Sequence, residues 1–179
     1  MLETERLILR PWTEDDAEAC YQYARDPQVG PAAGWPVHTS VENSRQIIRG
    51  VLSAPETYAV VLKQTMEPVG SIGLMQGEQS NLGLGPGEGE IGYWIGVPYW
   101  GQGLIPEAVR AIMTYGFEDL GLHTLWCGYF DGNDKSRRVQ EKCGFQYHHT
   151  NYDVLWPAIG ETKTEHVTRI TREQWRLFP

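Results

Sequence analysis

The chain has 179 residues and a formal net charge of -8, with 41% apolar and 21% charged residues. This composition is typical of a globular protein and excludes a chain that is mainly disordered. A general nucleic-acid-binding protein would be basic, and no apolar run is long enough to span a membrane, so we expect neither a nucleic acid nor a membrane as partner.

Taken in chain order, the apolar periodicity predicts a strand, two helices, three strands, a helix, a strand, a helix, two strands and a short final helix. The strands cover residues 5–10, 57–63, 67–75, 90–97, 124–130, 146–155 and 164–170. The helices cover residues 13–27, 39–55, 105–122, 133–145 and 171–178. This order predicts one mixed α/β domain in which helices cover a sheet.

Three local features carry further expectations. Thr39 and Glu42 have the spacing of a capping box, which would start the second helix. The glycine-rich residues 76–89 connect two strands and form either a lid or a disordered loop. His148 and His149 are adjacent in a strand, so their side chains are expected to point to opposite faces.

The three cysteines are Cys20, Cys127 and Cys143, an odd number at wide spacing with no CxxC pair. This pattern favours reduced thiols and indicates neither a disulfide framework nor a metal site. Residues 1–10 are charged and lack the apolar core of a signal peptide. We therefore expect a cytoplasmic protein without a metal.

A glycine turn stands between the predicted strand 90–97 and the helix that follows it. Gly101 and Gly103 would let backbone N–H groups approach an anion at a helix N-terminus. The segment is not a P-loop, because no Gly-Lys-Ser/Thr ends it, and Pro106 replaces the third glycine of a dinucleotide fingerprint. From the turn alone, an anion site and a plain tight turn are both open interpretations.

The turn is followed by NDKSRRVQEKCGF at residues 133–145, and the chain opens with ETERLILRPWTEDDAEA. Together these segments resemble the GNAT acetyltransferases and, within them, the RimJ/RimL-type branch, which acetylates protein N-termini or related amines. The resemblance covers nearly the whole chain and is weakest at residues 83–90 and after Asp153. It implies a single GNAT domain over residues 1–179, with a mixed twisted sheet of about seven strands and acetyl-CoA as cosubstrate. The sequence leaves both a monomer and a homodimer open.

The family's pyrophosphate loop, Gln/Arg-x-x-Gly-x-Gly/Ala, is matched by residues 98–103, where Pro98 departs from the pattern. The resemblance implies that Gln102 to Ile105 face the pyrophosphate and that the strand end pairs with the pantetheine arm. The residues so implied in coenzyme binding are Ile95, Val97, Trp100, Gly101, Gln102, Gly103, Leu104, Ile105, Asn133 and Ser136.

The resemblance also suggests catalytic residues. Glu90 is the candidate general base, with Glu88 as the competing assignment, and a solvated strand-end carboxylate is the alternative for either. Gln140 stands where many members carry a tyrosine acid. In RimJ/RimL-type members a serine three residues after the asparagine takes that role, and the resemblance therefore implies Ser136 as the candidate acid. Ser136 could instead help to start its helix, and Asn133 could be an N-cap as well as a coenzyme ligand.

The resemblance also gives Trp35 and Tyr93 as the candidate acceptor-site residues, because the loop that contains Trp35 borders the acceptor site in the family. Trp35 could instead simply cover the core. The resemblance thus implies transfer of acetyl from acetyl-CoA to a primary amine, in particular a protein N-terminal α-amine. A small-molecule amine is the nearest alternative, because a fold does not define an acceptor. A coenzyme A-binding module without turnover is the third, permitted by Pro98 and Gln140.

Overall fold

A computed structural model describes residues 1–179 as a mixed α/β protein with one eight-stranded sheet. The strands are β1 (Leu2–Glu3), β2 (Leu7–Arg10), β3 (Thr57–Leu62), β4 (Glu67–Met75), β5 (Glu88–Ile95), β6 (Thr124–Phe130), β7 (Gln146–Trp156) and β8 (Glu161–Thr171). The helices are α1 (Ala17–Ala24), α2 (Val41–Arg49), α3 (Leu104–Thr114), α4 (Asp134–Lys142) and α5 (Arg172–Leu177). None of them combines the length and the apolarity that crossing a bilayer requires.

The strand order in the sheet is β1-β2-β3-β4-β5-β6-β8-β7. β5 and β6 are parallel, whereas the pairs β1–β2, β2–β3, β3–β4, β6–β8 and β7–β8 are antiparallel. The mixed sheet is therefore confirmed, and so is each of the seven predicted strands. The additional strand is β1, whose two residues are too few to produce a periodic pattern.

The chain divides into two compact units. The first comprises Met1–Gly73 and Tyr93–Ala108, and the second comprises Leu74–Gly92 and Val109–Pro179. A core cluster of the first unit consists of Trp12, Ala17, Cys20, Ala24, Ile48, Leu52, Ala59 and Val61. In the second unit, Leu125 and Cys127 of β6 and Val167 and Ile170 of β8 are fully buried.

The N-terminus of α2 differs from its prediction by one residue. Ser40 is the N-cap, and its Oγ accepts the backbone N–H of Asn43 at 2.9 Å. Asn43 in turn accepts the backbone N–H of Thr39 at 3.0 Å through Oδ1. The expected Thr39–Glu42 capping box is therefore wrong, because Ser40 holds the extended backbone that precedes the helix, and Glu42 pairs instead with Arg45.

Strand β7 contains two register shifts, one between Tyr147 and His149 and one between Asn151 and Val154. An extra residue in a strand resets the alternation of its side chains. As a result, the Nδ1 atoms of His148 and His149 lie 2.7 Å apart, and both rings pack edge-on against Trp126. The expectation that the two histidines point to opposite faces is thus wrong.

All three cysteines are free thiols, as the sequence predicts, and the structure shows that all three are buried. Burial raises the pKa of Cys20 to about 12 and that of Cys143 to about 11. It also raises the pKa of Cys127 well above its ordinary value. The thiols therefore stay protonated at neutral pH and contribute as small apolar groups.

Candidate active site

The predicted glycine turn is present between β5 and α3. Gly101 and Gly103 have φ angles of 75° and 76°, a left-handed conformation that glycine adopts without steric cost. The carbonyl of Gly103 accepts the N–H of Glu107 at 3.2 Å, so α3 begins directly after the turn. The first N–H groups of a helix have no partner within it, which makes this segment suited to an anion.

Arg6 fixes the turn from the side of the N-terminal strands. Its Nη1 donates to the carbonyl oxygen of Gln102 at 2.9 Å, and its Nε donates to Oε2 of Glu107 at 2.8 Å. Glu107 also accepts from Thr4 Oγ1 at 2.5 Å and from the Arg6 backbone N–H at 2.8 Å. Burial would raise the pKa of Glu107, but these hydrogen bonds outweigh it and lower the pKa, so the carboxylate stays charged.

The strand end before the turn is held by short contacts. Ile95 is the last residue of β5, and its carbonyl accepts the indole N–H of Trp100 at 3.0 Å. Val97 opens a 3-10 turn that ends at Tyr99, whose hydroxyl lies 3.1 Å from that of Tyr23. The residues predicted for coenzyme binding between 95 and 105 therefore form one continuous turn in the first unit.

Glu90 lies in the second unit, where Ser80 Oγ donates to its Oε2 at 2.7 Å. Burial raises the pKa of Glu90, and the hydrogen bond from Ser80 partly offsets the rise. Glu88 has a different environment: its carboxylate accepts the N–H of Gly85 at 2.7 Å and the indole N–H of Trp126 at 3.2 Å. Glu88 thus serves to hold a turn and a ring, while Glu90 has the raised pKa expected of a base.

Ser80 belongs to the glycine-rich connection 76–89. A 3-10 turn at Gly77–Gln79 precedes it, and Ser80 itself is buried. Its Oγ donates to Glu90 and accepts the N–H of Leu82 at 3.0 Å. This part of the connection therefore has a defined conformation and supplies a partner to the candidate base.

Glu165 is a candidate active-site residue that was not predicted from the sequence. It is buried on β8, and its pKa is raised to about 7 by burial and by the charge of Glu90. Its carboxylate lies against Gly128 of β6, where an added Cβ would be 2.5 Å from Oε2. The sequence signal that could have indicated Glu165 is Gly128, because a glycine inside a strand often marks a position where another group approaches the backbone closely.

A cleft of about 700 Å³ adjoins Glu165 in the second unit. It is lined by Asn81, Leu82, Gly83, His149, Thr150, Asn151, Tyr152, Val154, Leu155, Trp156, Pro157 and Glu165. The second register shift of β7 falls within this lining, which is typical of bulges beside functional sites. The cleft is large enough for a small molecule or the first residues of a peptide.

The predicted acid and its neighbours lie at the start of α4. Asn133 is the N-cap, and its Oδ1 accepts the backbone N–H of Ser136 at 3.3 Å. Gln140 is buried and donates through Nε2 to the carbonyl of Gly128 at 2.9 Å and to Ser136 Oγ at 3.3 Å. Its Oε1 accepts from Thr168 Oγ1 at 2.7 Å. Gln140 therefore stabilises β6, β8 and α4, and it orients the Ser136 hydroxyl.

The two candidate acceptor residues lie in the first unit. Trp35 packs against Trp94 and His38, with ring centroids 5.4 and 5.3 Å apart. It also lies over the core cluster of that unit, so it has the covering position considered from the sequence. Tyr93 lies on β5 and is partly buried.

Comparison with known proteins gives consistent matches. The family model described as the acetyltransferase (GNAT) domain matches residues 6–146. "Uncharacterized N-acetyltransferase p20" of Bacillus licheniformis is 31% identical over 150 residues, which is 81% of this chain and 82% of that protein. The crystal structure of a GNAT-family acetyltransferase from Bacillus anthracis superposes with a TM-score of 0.83 at 26% identity, covering 96% of this chain and 98% of that one.

A structure from Vibrio cholerae, provisionally named as a ribosomal-protein-serine acetyltransferase, gives a TM-score of 0.77 at 27% identity. The match covers 94% of this chain and 95% of that one. The range of the family match includes the glycine turn, Glu90 and Ser136, whereas Glu165 lies beyond it.

Proposed function

The chain belongs to the GNAT acetyltransferase family, and on that premise we propose that it moves acetyl from acetyl-CoA to the α-amine at the N-terminus of a protein, as RimJ/RimL-type enzymes do. The likeness to the Vibrio cholerae structure at 27% identity supports this acceptor class. The family match spans residues of both compact units, which supports one acetyltransferase domain over residues 1–179. The observation that carries the chemistry is the partly buried Glu90 carboxylate bonded to Ser80.

Acetyl-CoA, the cosubstrate of the family, supplies an acetyl thioester. The left-handed glycines and the start of α3 fit a pyrophosphate, because they present backbone N–H groups to an anion. In this proposal Gln102 to Ile105 bind the pyrophosphate, and Ile95 and Val97 pair with the pantetheine amides. The resemblance to the family also assigns coenzyme binding to Asn133. Pro98 removes one side-chain contact and leaves the glycines intact.

Glu90 acts as the general base in this proposal. An α-amine titrates near ~8 and must lose a proton before or during its attack on the thioester carbonyl. Glu90 receives that proton, directly or through a water, while the nitrogen–carbon bond forms and the carbon–sulfur bond breaks. Glu165 lies within the electrostatic reach of this base, because burial and then the charge of Glu90 raise the pKa of Glu165 to about 7.

Ser136 is proposed to give a proton to the departing thiolate. Gln140 cannot do so, because a carboxamide does not titrate, and its Oε1 and Nε2 already hold Thr168 and Gly128. The hydrogen bond between Gln140 and Ser136 supports a fixed orientation of the serine hydroxyl.

The test is release of free thiol from acetyl-CoA, with and without short peptides, polyamines and lysine. Release stimulated by peptides with free N-termini is the expected result. Thiol release with polyamines or lysine but not with peptides would indicate that the acceptor is a small-molecule amine. Acetyl-CoA binding without thiol release in any sample would favour the alternative of a coenzyme A-binding module without turnover.

Variants separate the roles. We expect Glu90→Gln to lower kcat by about 10²-fold or more, the usual contribution of a general base, with little change in acetyl-CoA affinity. Glu88→Gln is the matched control and should keep most of the activity. Ser136→Ala should slow thioester cleavage. Full activity of Glu90→Gln across neutral pH would remove Glu90 from the mechanism.

A further inference from the structure

The cleft beside Glu165 has two chemically different parts. Its polar part contains Glu165 and the side chains of Asn81, His149, Thr150 and Asn151. Its apolar part contains Leu82, Tyr152, Val154, Leu155, Trp156 and Pro157. Neither a lysine nor an arginine lines it.

Glu165 is the only carboxylate among the lining residues and is the most buried of them. It stands opposite Asn151 in the pairing of β7 with β8, so it lies at the polar end of the cleft. Lys163, two residues away on the same strand, is already paired with Glu161 at 2.8 Å and lies over the Phe130 ring. The charge of Glu165 is therefore not neutralised by that lysine.

We propose that this cleft, rather than the positions of Trp35 and Tyr93, is the acceptor subsite and that it selects a primary amine with a single positive charge and an apolar body, such as a peptide whose first residue is leucine-like. The inference rests on the proposed function, which it narrows by naming the class of acceptor. The ammonium group lies at Glu165, and the apolar body contacts the wall formed by Val154, Leu155 and Trp156.

A second positive charge on the acceptor would be penalised. The apolar lining residues offer no carboxylate to such a group, and Glu161, which stands opposite Trp156 in the pairing of β7 with β8, is already paired with Lys163 at 2.8 Å. Moving a charge from water into apolar surroundings without a partner is strongly unfavourable. Tyr152 and Leu155 are exposed, so a second charge there keeps part of its hydration, and lysine-like residues and polyamines are disfavoured rather than excluded.

The experiment compares leucinamide, lysinamide and spermidine at pH 8. Binding of each is measured by calorimetry with coenzyme A present, and turnover is measured by thiol release from acetyl-CoA. We expect leucinamide to bind and to react about tenfold or more better than the other two, the range for a misplaced group in an apolar pocket. Equal or better use of lysinamide or spermidine would overturn the inference and leave the proposed function standing.

Two leucines provide a matched pair of variants, because both are exposed and one lies outside the cleft. Leu155→Asn should lose most of the preference for leucinamide, whereas Leu177→Asn should keep it. Glu165→Gln should weaken binding of all three amines. An unchanged preference in Leu155→Asn would refute the subsite. Selective leucinamide binding without any turnover would uphold the subsite and refute the proposed enzyme.

Discussion

Replacing Arg6 by alanine tests how the glycine turn is held for a coenzyme. The change removes the hydrogen bonds from the guanidinium to the Gln102 carbonyl and to the Glu107 carboxylate, which measure 2.9 and 2.8 Å. The backbone N–H of Arg6 keeps its own contact with Glu107. The turn should then sample conformations in which its amides no longer converge, and pyrophosphate binding should weaken.

The size of the effect follows from exposure. Hydrogen bonds to charged groups contribute about 1.5–3 kcal/mol when shielded, whereas exposed ion pairs contribute about 0.2–1 kcal/mol. The Arg6 side chain is 43% exposed and that of Glu107 is 17% exposed, so solvent screening reduces the first range. A loss of about 1–2 kcal/mol corresponds to a rise of roughly 5- to 30-fold in the Kd of coenzyme A.

Calorimetry with two ligands isolates the cause. Coenzyme A should lose affinity in Arg6→Ala, whereas pantetheine, which lacks the pyrophosphate, should bind as before. Arg6→Lys keeps the positive charge but lacks the several N–H donors of the planar guanidinium, so it should recover little of the lost coenzyme A affinity. Arg49→Ala, which breaks the exposed pair with Glu14, is the control. Equal losses for both ligands, or full recovery with lysine, would refute the proposed role of Arg6 in holding the turn.

Two further predictions concern Glu165. Because its folded pKa of about 7 exceeds the ordinary carboxyl value, the folded state retains a proton that the unfolded state releases, and stability falls as pH rises toward 7. Glu165→Gln should therefore raise Tm at pH 8, by about 2–4 °C for each kcal/mol gained in the free energy of unfolding. At pH 4 the variant should not raise Tm, and equal shifts at the two pH values would contradict the argument. Gly128→Ala should displace the Glu165 carboxylate and raise the KM for the amine but not for acetyl-CoA. Gly92→Ala, whose Cβ would meet only the flexible end of Met75, is the control, and an unchanged amine KM in Gly128→Ala would count against the packing argument.

The strand, glycine turn and helix could be predicted because their determinants are local. An apolar, aromatic run predicts β5, and two glycines separated by a single residue predict the tight turn that follows it. The N-cap role of Asn133 and the left-handed Gly144 after α4 follow from the same short-range rules. Such features depend on residues within one or two helical turns of each other.

The remaining features depend on pairing between distant segments. Arg6 and Glu107 are 101 positions apart, and Glu165 meets Gly128 only through the β6–β8 register. The register shift between Tyr147 and His149 likewise depends on the pairing of β7 with β8. For this reason, the fact that His148 and His149 lie on the same side of the strand could not be predicted from their adjacency in the sequence. No periodicity within a single segment carries this information.

Because its cysteines are buried, the folded protein is expected not to react with a chromogenic disulfide reagent. No cysteine side chain is more than 1% exposed, and thiolate, the reactive form, is scarce at their raised pKa values. Colour that develops rapidly during a turnover experiment then comes from coenzyme A alone, without any need to replace a cysteine. Colour that develops slowly in the absence of substrate instead reports the rate at which the core opens, so the same three residues serve as an intrinsic reporter of unfolding.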